Sequence, residues 1–372
     1  MDATGYGTAS RGYALALDQL GVDVKIETYS WNFPFIENDC FEKEKLHQLI
    51  KKGYDEKKRK ILIYHTPPGN VQSGKKYIRF DRRILNTVWE TPKLPKCWPT
   101  IINKFDAVCV PCSQNIHAIK TSDVKIPAYL APHGVDTIKY KPENKKFLLK
   151  EAQGRFVFVS VFDFQHRKNP ESLLEAYWKE FTARDNVILA IKTYGDSRDQ
   201  IMRKIKKYKQ KLGFASETAP LIFLTGILDD IQFRGFYTMG NVFVLPTRGE
   251  GVGIPFMEAL SSGIPVITTG WGGQMDFINE NNSFLVDYEL SYPGISMNSE
   301  NTISKIYRNL YEEEGQIWAE AKVDDLRIKM REAYENQNLC SQKGHQGRMD
   351  MLKLSWNNVV LSLKHAIDKT IQ

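Results

Sequence analysis

No apolar run in this chain of 372 residues approaches the roughly 18 needed to cross a bilayer as a helix. The first residues, MDATGYGTAS, have neither the basic start nor the apolar stretch of a secretory signal. Cysteine is scarce: there are five, an odd number with no regular spacing, which excludes a disulfide-framed secreted fold. These absences point to the cytoplasm. One C-x-x-C occurs, Cys109 and Cys112 in DAVCVPCSQN, but it has no second pair and Cys109 sits in a strand-like run. A buried strand cysteine followed by a turn cysteine is therefore expected, and not a zinc or redox centre. There is no internal repeat and no low-complexity tract.

What is present is the composition of a globular protein, 42% hydrophobic and 26% charged, in a chain long enough for two domains. Charge is unevenly spread. Residues 1–150 carry 25 Lys+Arg against 16 Asp+Glu, while the remainder carries 26 against 28. Dense basic runs lie at 51–60 (KKGYDEKKRK), 75–83 (KKYIRFDRR) and, on a predicted helix, 203–211 (RKIKKYKQK). Any one run reads as a solvated face. The asymmetry between the halves says more: the first part is expected to face a membrane surface, a lipid phosphate or an acidic glycan, and a cytoplasmic protein open to peripheral contact with an anionic membrane surface is the expectation. No nucleic-acid partner is expected.

Short apolar runs alternate with amphipathic segments nearly throughout, the pattern of a doubly wound α/β protein. The first part offers strands at 22–29, 60–66, 83–89, 106–111 and 128–133. Residues 132–150 turn polar and lysine-rich, a linker. A second α/β series starts with RFVFVSVF (155–162) and continues through NVILAIKTYG, PLIFLTGIL, NVFVLP and IPVITT. Unbroken apolar character predicts strands buried on both faces. Asn169, Pro170 and Glu171 supply a cap, a first-turn proline and a first-turn acid to the helix NPESLLEAYWKEF. GQIWAEAKVDDLRIKMREAYEN (315–336) and LSWNNVVLSLKHAIDK (354–369) read as closing helices. The expected domains are 1–150, 151–350 and a terminal helix, 351–372. A domain of this kind usually opens with a strand before its glycine loop, yet TGYGTASRGYALALDQLG begins almost at Met1. That strand is expected to be missing or replaced.

The segment PTRGEGVGIPFMEALSSGIPVITT (246–269) places Glu250 and Glu258 with seven residues between them. NVFVLP reads as a strand and PFMEALSSG as a helix closed by Gly263. TRGEGVGI is then a strand-to-helix loop at the carboxyl end of a parallel sheet, where open α/β folds bind ligands. Gly249, Gly251 and Gly253 let the backbone approach a ligand and aim N–H groups at an anion, and the helix adds its positive end. Glu258, placed in the first helical turn, is electrostatically comfortable there without any ligand. As a pair, the two carboxylates match the hydroxyls at either end of a nucleotide sugar.

This segment resembles the signature of the family 4 retaining glycosyltransferases (glycosyl transferases group 1), whose GT-B fold comprises two facing Rossmann-like, doubly wound α/β domains with a cleft between them. GYG, APHGVDTIKYKP, HRKNPESLLEAY, TGILDDIQFRGFYTMGNVFVLP and GWGGQMDFI fit the family in the same order and cover nearly the whole chain. The resemblance implies a hexosyltransferase that retains anomeric configuration. It would move a hexose from a nucleoside-diphosphate sugar, UDP- or GDP-linked, to a glycan, lipid-linked or other acceptor in surface polysaccharide or glycoconjugate biosynthesis. It implies that Glu258 holds the ribose and Glu250 the transferred sugar, while the amides of Gly251, Val252 and Gly253 face sugar and diphosphate. Lys168 would neutralise the departing diphosphate. Many relatives carry an arginine some six residues before that lysine; position 162 is Phe here, leaving Arg167 and Arg248 as candidates. Gly226 and Leu228 would lie near the base, and Gly5 and Gly7 near the phosphates and acceptor. Where relatives keep a first-domain histidine, Trp89 and Glu90 stand; Glu90 either contacts sugar or acceptor or faces solvent. His65 and His133 sit at strand ends toward the cleft, where a structural histidine is the commoner case. The chain lacks the Asp-x-Asp that holds a divalent metal in the other large glycosyltransferase fold, so no metal and no cofactor are expected. A nucleotide-sugar 2-epimerase and a non-catalytic sugar-binding relative are the alternatives. A dehydrogenase is disfavoured, since GYGTAS lacks the third glycine of the dinucleotide fingerprint.

Overall fold

The computed structural model describes residues 4–28, 40–72, 79–195, 197–214, 218–300 and 302–372. The chain divides into two compact units, Met1–Asp136 with Lys353–Gln372, and Thr137–Leu352.

Unit 1 is built on four parallel strands in sequential order: β1 (Ile61–His65), β2 (Arg82–Asn86), β3 (Ala107–Val110) and β4 (Ala128–Leu130). The apolar run of β3 is buried along its whole length, which pushes the Cys109 thiol up to about 12. Cys112 caps the helix Ser113–Lys120, its sulfur accepting from the Asn115 N–H at 3.4 Å. The glycine-rich start departs from the expected loop. Thr4 Oγ1 accepts from the Gly7 N–H at 3.1 Å, and Gly5–Gln19 is a helix, so Gly5 and Gly7 lie in its first turn. The strand expected at 22–29 does not form over 22–28, and Tyr29 lies outside the described residues. Its apolar alternation is spent against a helix, with Ile26 N–H donating to Leu49 O at 3.1 Å beside Cys40–Lys51. The last helix, Trp356–Ile371, belongs to this unit and packs on Gly5–Gln19. Gly12 makes that approach possible, since a Cβ there would sit 2.2 Å from the Trp356 ring.

Unit 2 holds β5 (Phe156–Val161), β6 (Val187–Lys192), β7 (Leu221–Leu224), β8 (Val242–Leu245), β9 (Val266–Thr269) and β10 (Ser283–Val286). They form one parallel sheet ordered β10-β9-β8-β5-β6-β7. Every residue of β5, β6, β8 and β9 is buried, as their unbroken apolar runs predict. Strand order reverses between β5 and β8. Connections from these neighbours leave in opposite directions and open a crevice at their carboxyl ends. A separate antiparallel ribbon pairs β11 (Tyr288–Ser291) with β12 (Trp318–Ala321). Residues 315–336, expected as one helix, are thus split. Trp318–Ala321 is drawn into pairing with β11, and the helix runs only over Val323–Glu335.

Candidate functional site

The two loops that leave the switch point carry the chemistry. After β5 the chain makes a short turn, His166–Lys168, and Asn169 adopts a left-handed conformation (φ 56°) while its side chain caps Pro170–Glu180. That turn aims Arg167 and Lys168 at the loop following β8. Lys168 Nζ donates to Glu250 Oε1 at 2.5 Å, and Arg167 Nη1 lies 3.0 Å from the same oxygen. Arg167 also donates to Gly249 O at 2.6 Å. All three side chains are buried. Burial alone would raise the Glu250 carboxyl; Arg167 and Lys168 outweigh it and hold the group below its ordinary value. Two cations thus converge on one carboxylate oxygen.

The glycine corner is shaped by its backbone. Gly253 takes φ 80° and heads the helix Ile254–Ser261, and an added Cβ would meet Phe256 Cδ2 at 2.4 Å. Glu250 O accepts from Gly273 N–H at 2.7 Å, which ties the corner to the segment following β9. Glu258 lies in the second turn of that helix, not the first, so its carboxylate is held by side chains more than by the helix end. Tyr237 donates to Glu258 Oε2 at 2.6 Å, and Tyr140 lies close enough that burial, together with this carboxylate, pushes its hydroxyl well up.

Arg248, one of the two arginines considered for the diphosphate, is held by other groups. Its Nε donates to Glu320 Oε2 at 2.7 Å and its Nη1 to His166 O at 2.5 Å, with Glu171 Oε2 at 3.3 Å. Of the two arginines considered in place of one at 162, Arg167 is the one beside Lys168. Gly226, after β7, is exposed and open on its Cβ side, with Leu228 half-buried nearby. The amides of Gly251, Val252 and Gly253 belong to buried residues.

Gly5, Gly7, Glu90 and His133 belong to unit 1. Glu90 lies near Tyr6, whose hydroxyl is raised by burial and, to a lesser extent, by this carboxylate. His133 is buried among rings, 5.8 Å from Tyr13 and 5.9 Å from His65, and burial with the neighbouring His65 drives it well below its ordinary value. His65 accepts from or donates to Ser10 Oγ at 2.8 Å, and burial lowers it to about 4. Both imidazoles are neutral at neutral pH.

Sequence reasoning did not single out Thr247, Tyr237, Glu320 or the pairing of His166 with Glu171. Thr247 Oγ1 donates toward Arg167 O and Gly249 O, each at 3.1 Å. Tyr237 and Glu320 reach the site from 21 and 72 positions away along the chain, so no local spacing could have announced them. Glu171 was legible only as a helix-start acid.

A reversing sheet with a basic, glycine-cornered crevice in one unit and a second Rossmann-like unit beside it in sequence defines the GT-B class. Residues 153–292 match the family described as Glycosyl transferases group 1. The α-monoglucosyldiacylglycerol synthase of Streptococcus pneumoniae is 24% identical over 177 residues, covering 45% of this chain and 38% of that protein. The lipopolysaccharide core mannosyltransferase LpsB of Rhizobium meliloti is 25% identical over 191 residues, covering 48% and 49%. The matched part is thus less than half of either relative. Among solved structures, sucrose-phosphate synthase of Thermosynechococcus elongatus superposes with a TM-score of 0.58 at 16% identity, over 80% of this chain and 69% of that one. HepE of Anabaena, solved with UDP and glucose, gives 0.58 at 12% identity over 83% and 78%.

Proposed function

We propose that the protein is a retaining hexosyltransferase that takes its sugar from a UDP- or GDP-linked donor. The acceptor is a glycan or lipid-linked glycan at an anionic membrane surface, in surface polysaccharide or glycoconjugate biosynthesis. The observation that carries this reading is the meeting of Lys168 and Arg167 on Glu250 at the switch point of the unit 2 sheet. The names of the pneumococcal and rhizobial relatives, a glycolipid synthase and a mannosyltransferase, support it, as does the UDP and glucose of the Anabaena structure.

Breaking the anomeric bond puts negative charge on the diphosphate and oxocarbenium character on the sugar. Lys168 and Arg167 supply fixed positive potential for the first, at no reorganisation cost, and the amides of Gly251, Val252 and Gly253 add dipoles. Glu250 accepts the sugar hydroxyls, and Glu258, pinned by Tyr237, accepts the ribose diol. The acceptor attacks from the face the diphosphate leaves, and the departing phosphate takes its proton; no protein nucleophile and no metal is required. Glu250 is ion-paired by two cations, which makes it a poor nucleophile and a good hydroxyl acceptor. The test is release of nucleoside diphosphate from a panel of UDP- and GDP-sugars, with and without the acceptor fraction of a lipid extract. Acceptor-dependent release that disappears in Glu250→Gln is expected; an isomerised donor, or no release from any sugar, refutes transfer.

A further inference from the structure

We infer that the ribbon β11–β12 braces the glutamate corner, and that Glu320 is a positioning residue for the proposed transfer; this role depends on the reading of Lys168, Arg167 and Glu250 as donor-binding groups. After β10 the chain leaves the parallel sheet, runs through 287–322 and returns as the helix Val323–Glu335. Covering a sheet does not require this excursion. Its contacts fall on the site loops. Ala319 N–H donates to Arg248 O at 2.9 Å, and Glu320 Oε2 accepts from Arg248 Nε at 2.7 Å. Ile303 N–H donates to Glu171 Oε1 at 2.8 Å. Trp318 is fully buried, its ring 5.5 Å from that of His166, and its Nε1–H donates to Glu320 Oε1 at 2.9 Å.

Arg248 is where these contacts cross. Its backbone N–H donates to Arg167 O at 2.8 Å while its carbonyl accepts from Ala319, so one peptide segment is clamped between the β5 loop and the ribbon. Its guanidinium is clamped as well, by His166 O, Glu171 and Glu320. Glu250 follows two residues later across Gly249, and Gly251 comes next. Glycines cannot fix a corner by side-chain packing, so the aim of the Glu250 carboxylate is inherited from the bonds on either side. On one side is Glu250 O to Gly273 N–H; on the other the clamp on Arg248 works beside Arg167 and Thr247 on Gly249, and Lys168 and Arg167 hold the carboxylate itself. Removing the Glu320 carboxylate leaves the buried guanidinium held by His166 O and Glu171 but without its Nε partner, which loosens the clamp on the corner. A displacement of about 1 Å at a reacting group costs on the order of a hundredfold in rate.

The test compares Glu320→Ala with Glu320→Gln, whose amide oxygen can still accept from Arg248. Two signals are read: hydrogen exchange over 246–251, and nucleoside-diphosphate release from UDP- and GDP-sugars. Glu320→Ala is expected to speed exchange over 246–251 and to lower kcat about tenfold or more with donor KM within about threefold, while Glu320→Gln, which keeps the bond from Arg248 but sets its NH2 against the Trp318 Nε1–H, falls between it and wild type in both. Equal behaviour of the two variants overturns the brace. If Glu320→Ala does not fold, Trp318→Phe, which deletes the Nε1–H donor and keeps an aromatic ring, must show the same signature at smaller size; wild-type exchange and kcat in it overturn the brace. Should the wild-type protein release no nucleoside diphosphate from any sugar, the transferase reading fails, while the exchange comparison still decides whether Glu320 holds the corner.

Discussion

A single carboxylate oxygen on Glu250 is shared by two cations, and their separate fates define the chemistry at this position. Lys168 ends in a compact ammonium held on Glu250, while Arg167 is also bonded to Gly249 O. In the proposed transfer Lys168 supplies preorganised charge to the leaving diphosphate, so Lys168→Ala should lower kcat about a hundredfold with a smaller change in KM. Steady-state kinetics on the best donor checks this; a dominant rise in KM would make the lysine a binding group only. Glu258→Ala should weaken donor binding by about 1–3 kcal/mol, the range for a lost charged hydrogen-bond partner, and calorimetry with no loss would remove the ribose role. Glu171 makes a prediction about stability. Burial raises its carboxyl, but His166, Arg248 and the Ile303 N–H outweigh that and bring it to about 2. A carboxyl depressed in the folded state contributes stability that is present above its unfolded value and lost as pH falls. The loss should therefore run from about pH 4.5 down to about pH 2 and amount to roughly 3 kcal/mol. Denaturant midpoints across this range should show a slope in wild type that flattens in Glu171→Gln.

Among the elements, the loop between β8 and its helix is the one whose form depends on one residue. Gly253 combines a left-handed φ of 80° with a Cβ position already filled by the Phe256 ring. Gly253→Ala should cost about 1–3 kcal/mol from backbone strain and overpacking together, measured by chemical denaturation. A neutral result would mean that Phe256 yields freely. This corner was legible in the sequence because its signals are local: a strand ending at a proline, glycines at required turns, and Gly263 at φ 75° just past the helix end. The same holds for Asn169, Pro170 and Glu171. Elements that depend on distant partners were not legible. The ribbon strand Trp318–Ala321 has helix-compatible composition and becomes a strand only because Tyr288–Ser291 is there to pair with it. At 22–28, alternating apolar residues met the end of a helix where a strand was expected, and Gly5 and Gly7 entered a helix because Thr4 caps it. Spacing shows periodicity; it does not show what stands opposite.

Across the whole molecule, charge is distributed by unit. Unit 1 carries 23 Lys+Arg against 16 Asp+Glu, whereas unit 2 carries 28 of each. Part of the basic run at 51–60 is neutralised where it lies. Lys52 and Lys58 both bind Asp23, whose carboxyl these hydrogen bonds lower to about 2, and Lys60 pairs with Glu56. The unit as a whole keeps an excess of positive charge, which acts through long-range potential. Among the described residues no helix is long and apolar enough to cross a membrane. The proposed contact of this unit with an anionic surface is electrostatic and therefore sensitive to salt. The screening length falls from about 10 Å at 0.1 M salt to about 3 Å at 1 M. Sedimentation with vesicles containing anionic phospholipid should therefore carry the protein down at low ionic strength and release most of it by about 0.5 M salt, while neutral vesicles should leave it in solution throughout. Binding that survives high salt, or that does not distinguish the two vesicle types, would show that apolar contact and not the charge of unit 1 holds the protein at a surface.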